Sequence, residues 1–300
     1  MLKDEQGRDL KQDSDLIAPE LTEKQQEEAE ERTSVSAVVV HETIRHDGEE
    51  ELSRPTSALA WSGLAAGMSM GFSFVGQALL RAHLPNQPWR PLLVNLGYPL
   101  GFLIVIIGRQ QLFTENTLTA IIPLLARRNL ATLVQVARLW SIVLLANLLG
   151  AHLFAWVAGN TPMFSREVQH AMLQLSTEAA HVTFGSAIIR GIFAGWLIAM
   201  VVWMLAASDA GRIPIIVILT YAVGLANFTH IIAGSVEVLF SVMVGTTSWG
   251  VIAFGYLLPT LIGNIIGGVS LTAAINHAQA VAGMSKKKQR EAPNVLQSDR

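Results

Sequence analysis

Long apolar runs, separated by short polar stretches, dominate the chain after residue 55. A helix needs roughly 20 apolar residues to cross the hydrocarbon core of a bilayer. The pattern predicts six such spans, near residues 57–80, 91–126, 131–158, 182–208, 213–244 and 249–279. The chain is therefore expected to be an all-α membrane protein with six transmembrane helices.

The second and fifth predicted spans are too long, and too polar at their centres, to be simple helices. Residues 109–116 read RQQLFTEN, and residues 227–235 read NFTHIIAGS. Polar backbone at membrane depth is tolerated only where protein or a water-filled cavity surrounds it. We expect both of these helices to be broken.

The two halves of the chain repeat three features in the same order. Small-xxx-small patterns, which let helices approach closely, occur at 63–67 and 191–195. The broken spans follow, and the motifs ANLLG and GNIIG then occur at 146–150 and 263–267. Three spans in each half require opposite insertion. Inverted repeats with broken helices place a binding or permeation site near the membrane midplane, so the pattern favours transport over a mere anchor.

The charges separate an arm from this apolar body. Only 15% of the residues are charged, and residues 1–54 hold 16 of the 23 acidic side chains. A soluble protein carries about a quarter charged residues. We interpret 1–54 as an acidic arm, 55–280 as the channel domain and 281–300 as a basic tail. Basic residues in the loops after the second and fourth spans place both termini in the cytoplasm.

The arm is expected to contain an amphipathic helix. Val35, Val38, Val39 and Ile44 lie near one helical face and would rest on the membrane surface or on a neighbouring subunit. A gate, or a docking site for a soluble enzyme, is the alternative function of this arm.

His230 is the first candidate for chemistry, because it lies in the second polar stretch, at the predicted midplane. Ionisable groups inside a membrane are functional by default, and imidazole ordinarily titrates near neutral pH. Its side chain would attract an anion when protonated, or pass a proton to it. A purely structural histidine, bonded to a neighbour such as Thr229, is the alternative.

Thr114 and Thr229 are assigned to equivalent places in the repeat and would offer hydroxyl groups to a dehydrated anion. Leu112 and Phe113 would form an apolar constriction between the two halves. The half-helices that follow the breaks, beginning near Glu115 and Ile231, would present unpaired N–H groups that attract anions. Local bonding of the hydroxyls and lipid-facing placement of the phenylalanine are the structural alternatives.

Four charges fall inside predicted spans: Arg109, Glu115, Arg190 and Glu237. Because an isolated charge in apolar surroundings is costly, we expect buried arginine–glutamate pairs, with direct anion binding by an arginine as the alternative. The asparagines of the two late motifs, Asn147 and Asn264, would bond backbone groups freed by the breaks.

The motifs at 112–116, 228–230 and 263–268 resemble those of the formate/nitrite transporter family, over roughly residues 57–280. The run at 109–116 and the acidic arm are similar to the YfdC-type branch of that family. The resemblance implies a homopentamer in the bacterial inner membrane, with an aquaporin-like pore in each protomer.

The same resemblance assigns the pore residues. It makes His230 the central histidine, and Leu112, Phe113 and Thr114 the slit-forming loop. Asn264 would be the pore asparagine, Tyr98 the outer constriction, and Phe102 a residue near the inner one.

This chain departs from the family pattern in and around the pore. The family's glutamate before the histidine is Thr229 here, and an asparagine four residues after it is Gly234. A vestibule lysine is replaced by Ala179 and an asparagine by Gly195, while Arg109 and Arg190 are added. The charge along the pore therefore differs from that of typical members.

We predict passive or proton-linked passage of a small monovalent anion, formate- or nitrite-like, or of its neutral acid. Two alternatives stay open: a non-conducting sensor or scaffold that recruits a soluble partner, and a pore for water or a neutral solute. No hydrolase or nucleotide-binding motif is present. We therefore expect no enzymatic activity, cofactor, metal or nucleic-acid partner, and lipid as the surroundings.

Overall fold

The computed structural model describes residues 35–208, 211–280 and 282, and within these ranges every regular element is helical. The arm before residue 35 and nearly all of the predicted tail 281–300 lie outside the described residues. In chain order the helices are α1 Ala37–Ser53, α2 Thr56–His83, α3 Arg90–Ile107, α4 Phe113–Thr119, α5 Ile121–Arg127, α6 Leu130–Asn160, α7 Arg166–Ala180, α8 Phe184–Ala207, α9 Arg212–Leu225, α10 Ala233–Met243 and α11 Trp249–Ala280.

Membrane-spanning character is concentrated in α2, α3, α6, α8 and α11, which are long and apolar enough to cross a bilayer. The predicted fifth span corresponds to two shorter apolar helices, α9 and α10, that are separated by a non-helical stretch. The second span comprises α3, a non-helical stretch at 108–112, and then α4 and α5. We call 108–112 the first break and 226–232 the second break. The prediction of an all-α fold with broken second and fifth helices is confirmed.

Glycines bring the helices of each half into close contact. A Cβ atom on Gly67 of α2 would overlap the carbonyl oxygen of Asn147 on α6. In the same way, a Cβ atom on Gly195 of α8 would overlap the carbonyl oxygen of Asn264 on α11. Only glycine permits these approaches, so the small-residue pattern read from the sequence serves the same packing in both halves.

Helix α7 lies between the third and fourth spans, where the hydropathy pattern predicts no helix. Its first turn is capped by Ser165, whose hydroxyl accepts the N–H of Val168 at 3.4 Å. Val168, Met172 and Ser176 are buried at four-residue intervals. One narrow apolar stripe on an otherwise polar helix is too weak a hydropathy signal to stand out beside the spans.

Helix α1 packs against the chain's own helices along a stripe of Val40, Ile44, Gly48 and Leu52. A Cβ atom on Gly48 would overlap the carbonyl oxygen of Thr119, so this helix lies directly on the second span. Of the predicted face only Ile44 is buried, whereas Val35 and Val39 are 49% and 54% exposed. Val35 and Val39 thus stay available for the membrane surface or a neighbouring subunit, while the contact within the chain is centred on a glycine, which a search for apolar side chains passes over.

Candidate pore site

The two breaks begin with the same backbone turn. Arg109 and Asn227 adopt left-handed conformations, with φ of 50° and 51°. The next amide then bonds to the carbonyl five residues earlier, at 2.9 Å for Gln110 and 3.0 Å for Phe228. This is the Schellman arrangement that ends many helices. Each broken span is therefore stopped by a defined cap.

Asn147 braces the first break from α6. Its Oδ1 accepts the N–H of Phe113 at 2.9 Å. Its Nδ2 donates to the carbonyl oxygens of Gly63 and Gln111, at 2.7 and 2.8 Å. Because the side chain is fully buried, these bonds satisfy backbone groups that would otherwise lack a partner inside the membrane.

Asn264 braces the second break from α11 in the same way. Its Oδ1 accepts the N–H of Ile231 at 2.8 Å, and its Nδ2 donates to the carbonyl oxygens of Gly191 and Thr229, both at 2.9 Å. The amide of Asn264 is thus occupied by backbone, as that of Asn147 is. This geometry gives the two asparagines the same bracing contacts and leaves no free donor for a solute.

These bonds define the register of the repeat. Phe113 corresponds to Ile231, because each donates its N–H to the bracing asparagine. Leu112 therefore corresponds to His230. The predicted equivalence of Thr114 and Thr229 is wrong by three residues, because it rests on the shared letters Phe-Thr and not on the backbone.

His230 meets Thr114 where the two breaks converge. The imidazole Nε2 lies 2.9 Å from the Thr114 Oγ1, and the two residues are 1% and 0% exposed. The Nδ1 accepts the backbone N–H groups of Ile232 and Ala233, at 3.2 and 3.1 Å. Since an N–H group can only donate, Nδ1 carries no hydrogen and Nε2 carries the one of a neutral imidazole.

This tautomer fixes the direction of the His230–Thr114 hydrogen bond. Nε2–H donates, and the Thr114 oxygen accepts. The hydroxyl hydrogen of Thr114 has no protein acceptor within the described part of the chain. Thr114 can therefore donate its hydroxyl hydrogen to a solute, while the hydrogen bond from His230 polarises that hydroxyl group.

Aromatic rings approach this pair from one side. The ring of Phe102 is 5.1 Å from that of His230 and edge-on to it. The ring of Tyr98 is 5.4 Å from that of Phe102. Phe113 packs edge-on against Trp140, with ring centroids 5.7 Å apart. Leu112, Phe113 and Phe102 are all buried, so the surroundings of the pair are apolar.

Two cavities open toward the pair. The first, which we call the α7 cavity, has a volume of about 290 Å³, and its walls include Tyr98, Arg190, Asn227, Thr229, Glu237 and Tyr256. The second, the α1 cavity, has a volume of about 680 Å³, and its walls include Ile106, Arg109, Gln111, Glu115, Asn116 and Leu205.

The cavities lie at opposite ends of the spans. Helix α8 contributes Arg190 near its start to the α7 cavity and Leu205 near its end to the α1 cavity. At 1.5 Å per residue these positions are about 22 Å apart. His230 and Thr114 line neither cavity, but their chain neighbours do: Thr229 lines the α7 cavity and Glu115 lines the α1 cavity.

The four predicted buried charges are placed differently from the expectation. Arg109 and Arg190 are exposed in the single chain, while Glu115 and Glu237 are half-buried. Among residues 35–208 and 211–280, no ion pair joins these arginines to these glutamates. The predicted pairing is wrong: each cavity instead holds one of these two arginines and one of these two glutamates, which do not neutralise each other by contact.

Thr229 and Tyr256 complete the wall of the α7 cavity. The hydroxyl of Thr229 donates to the carbonyl oxygen of Ala187 at 2.8 Å and so bonds locally. A Cβ atom on Gly234 would overlap the hydroxyl of Tyr256, which fills the space that a side chain there would take. The sequence carries a signal for Tyr256, a tyrosine in an otherwise apolar span, that the motif comparison passes over. No group of His, Asp or Glu suited to a metal occurs among the described residues.

Inverted repeats with braced breaks, and a cavity toward each end of the spans with a buried polar pair outside both, are the features of a membrane transport protein. The model of the formate/nitrite transporter family matches residues 38–278. The chain belongs to this family.

Among its relatives, the inner membrane protein YfdC of Escherichia coli (strain K12) is 41% identical over 287 residues, 94% of this chain and 93% of the relative. The formate channel BtFdhC of Bacillus thuringiensis is 25% identical over 235 residues, 76% of this chain and 89% of the relative.

Solved structures share the fold. A pentameric formate channel with formate bound superimposes with a TM-score of 0.59 at 20% identity, covering 82% of this chain and 98% of the other. An ion channel of the same family reaches a TM-score of 0.64 at 18% identity, covering 81% and 96%. The predicted family and the aquaporin-like inverted-repeat fold are confirmed.

Proposed function

We propose that the chain provides a transmembrane path for a small monovalent anion, formate- or nitrite-like, or for its neutral acid. The observation that carries the proposal is the buried hydrogen bond between His230 and Thr114, at the point where the two breaks meet. Membership of a transporter family, and relatives named as formate channels, support the same substrate class.

The proposed path has a water-accessible cavity at each end and an apolar segment between the two cavities. A solute keeps its water in the two cavities and loses it beside Phe102 and Leu112, which are buried. Thr114 compensates for the lost water by donating its hydroxyl hydrogen, and His230 holds that hydroxyl in place. Such a fixed donor in a water-poor site is worth more than the same donor in water.

Location and assembly belong to the same proposal. Exposed apolar side chains, among them Trp61, Leu130 and Phe254, are 70% or more exposed in the single chain and suit lipid or further copies. The pentameric relative and the inner-membrane relative support a homopentamer in the inner membrane. We propose that both termini face the cytoplasm, which follows from the basic loops.

The test is stopped-flow flux into proteoliposomes with formate, nitrite, acetate and chloride. Measurements at about pH 5.5 and 7.5 lie on either side of the ordinary histidine pKa of about 6.5. We expect flux of formate or nitrite in the wild type and its loss in His230→Ala. The matched control is His83→Ala, an exposed histidine that lines neither cavity. Folded protein that passes none of these anions would contradict the proposal.

A further inference from the structure

Two glutamates stand on the proposed path without a role in the His230–Thr114 pair. Glu237 lies on the wall of the α7 cavity, and Glu115 lies on the wall of the α1 cavity. An ionisable group inside a membrane span is costly to keep and therefore marks function. Each cavity thus has one such carboxyl group. A solute on the proposed path would meet one of them on entry and the other on exit.

Ion pairing distinguishes these two carboxyl groups from other glutamates nearby. In the same cavities, Glu178 pairs with Arg81 at 2.5 Å, and Glu51 pairs with Arg54 at 3.1 Å. Within the described residues, Glu237 and Glu115 form no ion pair, and the Oε1 of Glu115 is buried without a hydrogen bond. Uptake of a proton removes the charge of such a group and with it the cost of burial.

His230 is a poor proton source for a passing anion. Its Nδ1 faces two backbone N–H groups and holds no hydrogen, and its single N–H is donated to Thr114. Transfer of that hydrogen would leave an imidazole anion. The pair therefore supplies a hydrogen bond, and a proton has to come from another group.

We propose that Glu237 and Glu115 are the proton-exchange residues for the substrate, an inference that rests on the proposed function. On entry from the α7 cavity, the O–H bond of Glu237 breaks and an O–H bond forms on the anion. The neutral acid then crosses the His230–Thr114 pair. At the α1 cavity Glu115 takes the proton, and the anion leaves. Water in the α7 cavity reprotonates Glu237, and Glu115 releases its proton to water in the α1 cavity, so one proton accompanies each anion.

The groups around each carboxyl suit this exchange. Around Glu237 stand Tyr98 of α3, Glu178 of α7, Arg190 of α8 and Tyr256 of α11. The arginine attracts the anion, and the hydroxyl groups can bond either form of the carboxyl group.

Around Glu115 stand acidic and basic side chains from three elements. Helix α1, the first break and α9 contribute them: Asp47, Glu50, Glu51, Arg54, Arg109 and Arg212. Both cavities thus offer an anion a guanidinium group as well as the carboxyl group.

The experiment follows formate uptake and internal pH together in proteoliposomes of the full-length chain. Wild type is expected to carry one proton with each formate. In Glu237→Gln and Glu115→Gln we expect formate flux to fall about 100-fold at pH 7.5, the lower end of what a general acid contributes. At pH 5.5 the flux recovers toward the wild-type value, because more of the acid arrives already protonated.

Two controls change carboxylates outside both cavities. Glu42→Gln and Glu167→Gln alter exposed glutamates that line neither cavity, and both are expected to keep the wild-type pH profile. Glu237→Asp keeps the carboxyl group and is expected to retain proton co-movement, which would exclude a purely structural effect of position 237.

The outcomes separate the two proposals. An unchanged pH profile and proton ratio in both glutamine variants, or a loss at both pH values from folded protein, would overturn the exchange role and leave the path itself standing. No flux in the wild type would overturn the proposed function and the inference with it. If one glutamine variant does not fold, the other decides, because the same profile is expected on either side.

Discussion

The first and second breaks share a backbone but not a chemistry. Both begin with a left-handed residue and a helix cap, and both are braced by an asparagine that makes three hydrogen bonds to backbone. At the position before the braced amide, however, one break has Leu112 and the other has His230. The repeat therefore provides the scaffold twice, but the buried polar pair is asymmetric: the second half contributes His230 from the position of Leu112, and the first half contributes Thr114.

This difference distinguishes the residues that brace the two breaks from the residues that we propose contact the solute. Bracing positions are expected to respond alike in the two halves when they are changed. Positions that face the solute are expected to respond differently.

The largest effect is expected from the bracing asparagines. Asn147→Leu or Asn264→Leu leaves one buried N–H group and one non-helical carbonyl group without partners, at about 1–3 kcal/mol each, so each variant should lose roughly 2 kcal/mol or more of stability. Thermal unfolding in detergent measures this, with Asn160→Leu at an exposed helix end as the control. If one of the two variants kept the wild-type melting temperature, the two asparagines would not be equivalent.

The glycine contacts should give a smaller effect, again equal in the two halves. Gly67→Ala and Gly195→Ala place a methyl group on a facing carbonyl oxygen. Overpacking of this kind costs about 1–3 kcal/mol. Gly185→Ala, also on α8 but with nothing within 4 Å of the added Cβ, is the matched control. Unequal melting temperatures for the two glycine variants would argue against parallel packing.

Glycine substitutions at the left-handed residues of the two breaks should change the stability by slightly different amounts. A left-handed conformation costs an ordinary residue about 1–2 kcal/mol, and glycine in its place loses about 0.5–1 kcal/mol in chain entropy. Arg109→Gly should therefore stabilise the chain by about 0.5 kcal/mol, whereas Asn227→Gly should be nearly neutral, since asparagine tolerates this conformation. Chemical unfolding of the two variants side by side would test this, and destabilisation by Arg109→Gly would indicate a structural contact of the arginine.

The smallest effect concerns helix α1, which contributes to the wall of the α1 cavity. Burial, followed by the nearby His277, holds the pKa of His41 below its ordinary value, and the two rings are joined at 2.8 Å. A group whose pKa is lowered by folding contributes stability above its ordinary pKa and loses it as the pH falls. The protection factors of the α1 amides, which correct for the pH dependence of intrinsic exchange, should therefore fall as the pH drops below the ordinary value of about 6.5. An equal fall in His41→Gln would exclude this histidine as the cause.

Much of the fold could be predicted because apolar runs and repeated motifs are properties of short segments. The spans, both broken helices and the paired glycines follow from such local patterns. The contact of α1 with the second span could not be predicted in this way, because it is centred on Gly48, which has no side chain to count.

The candidate site could be predicted in part. His230 and Thr114 can be singled out from the sequence as polar groups in apolar spans, and the structure joins them by a hydrogen bond. The register of the repeat could not be predicted, because Asn147 and Asn264 bond backbone amides, which carry no residue-specific signal. The arginine–glutamate pairing was inferred from the cost of charge alone, and the cavities, which let a charge stay solvated inside a span, are a property of the assembled helices.

A double-mutant cycle on formate flux tests the central claim most directly, that His230 and Thr114 act as one unit at the meeting point of the breaks. Thr114→Val, His230→Leu and the double variant would be compared with wild type in proteoliposomes. We predict that each single variant loses most of the flux, about tenfold or more for a lost hydrogen bond of about 1.4 kcal/mol, and that the double variant loses little more. Losses that simply multiply would contradict the account, because they would mean that the two residues act independently.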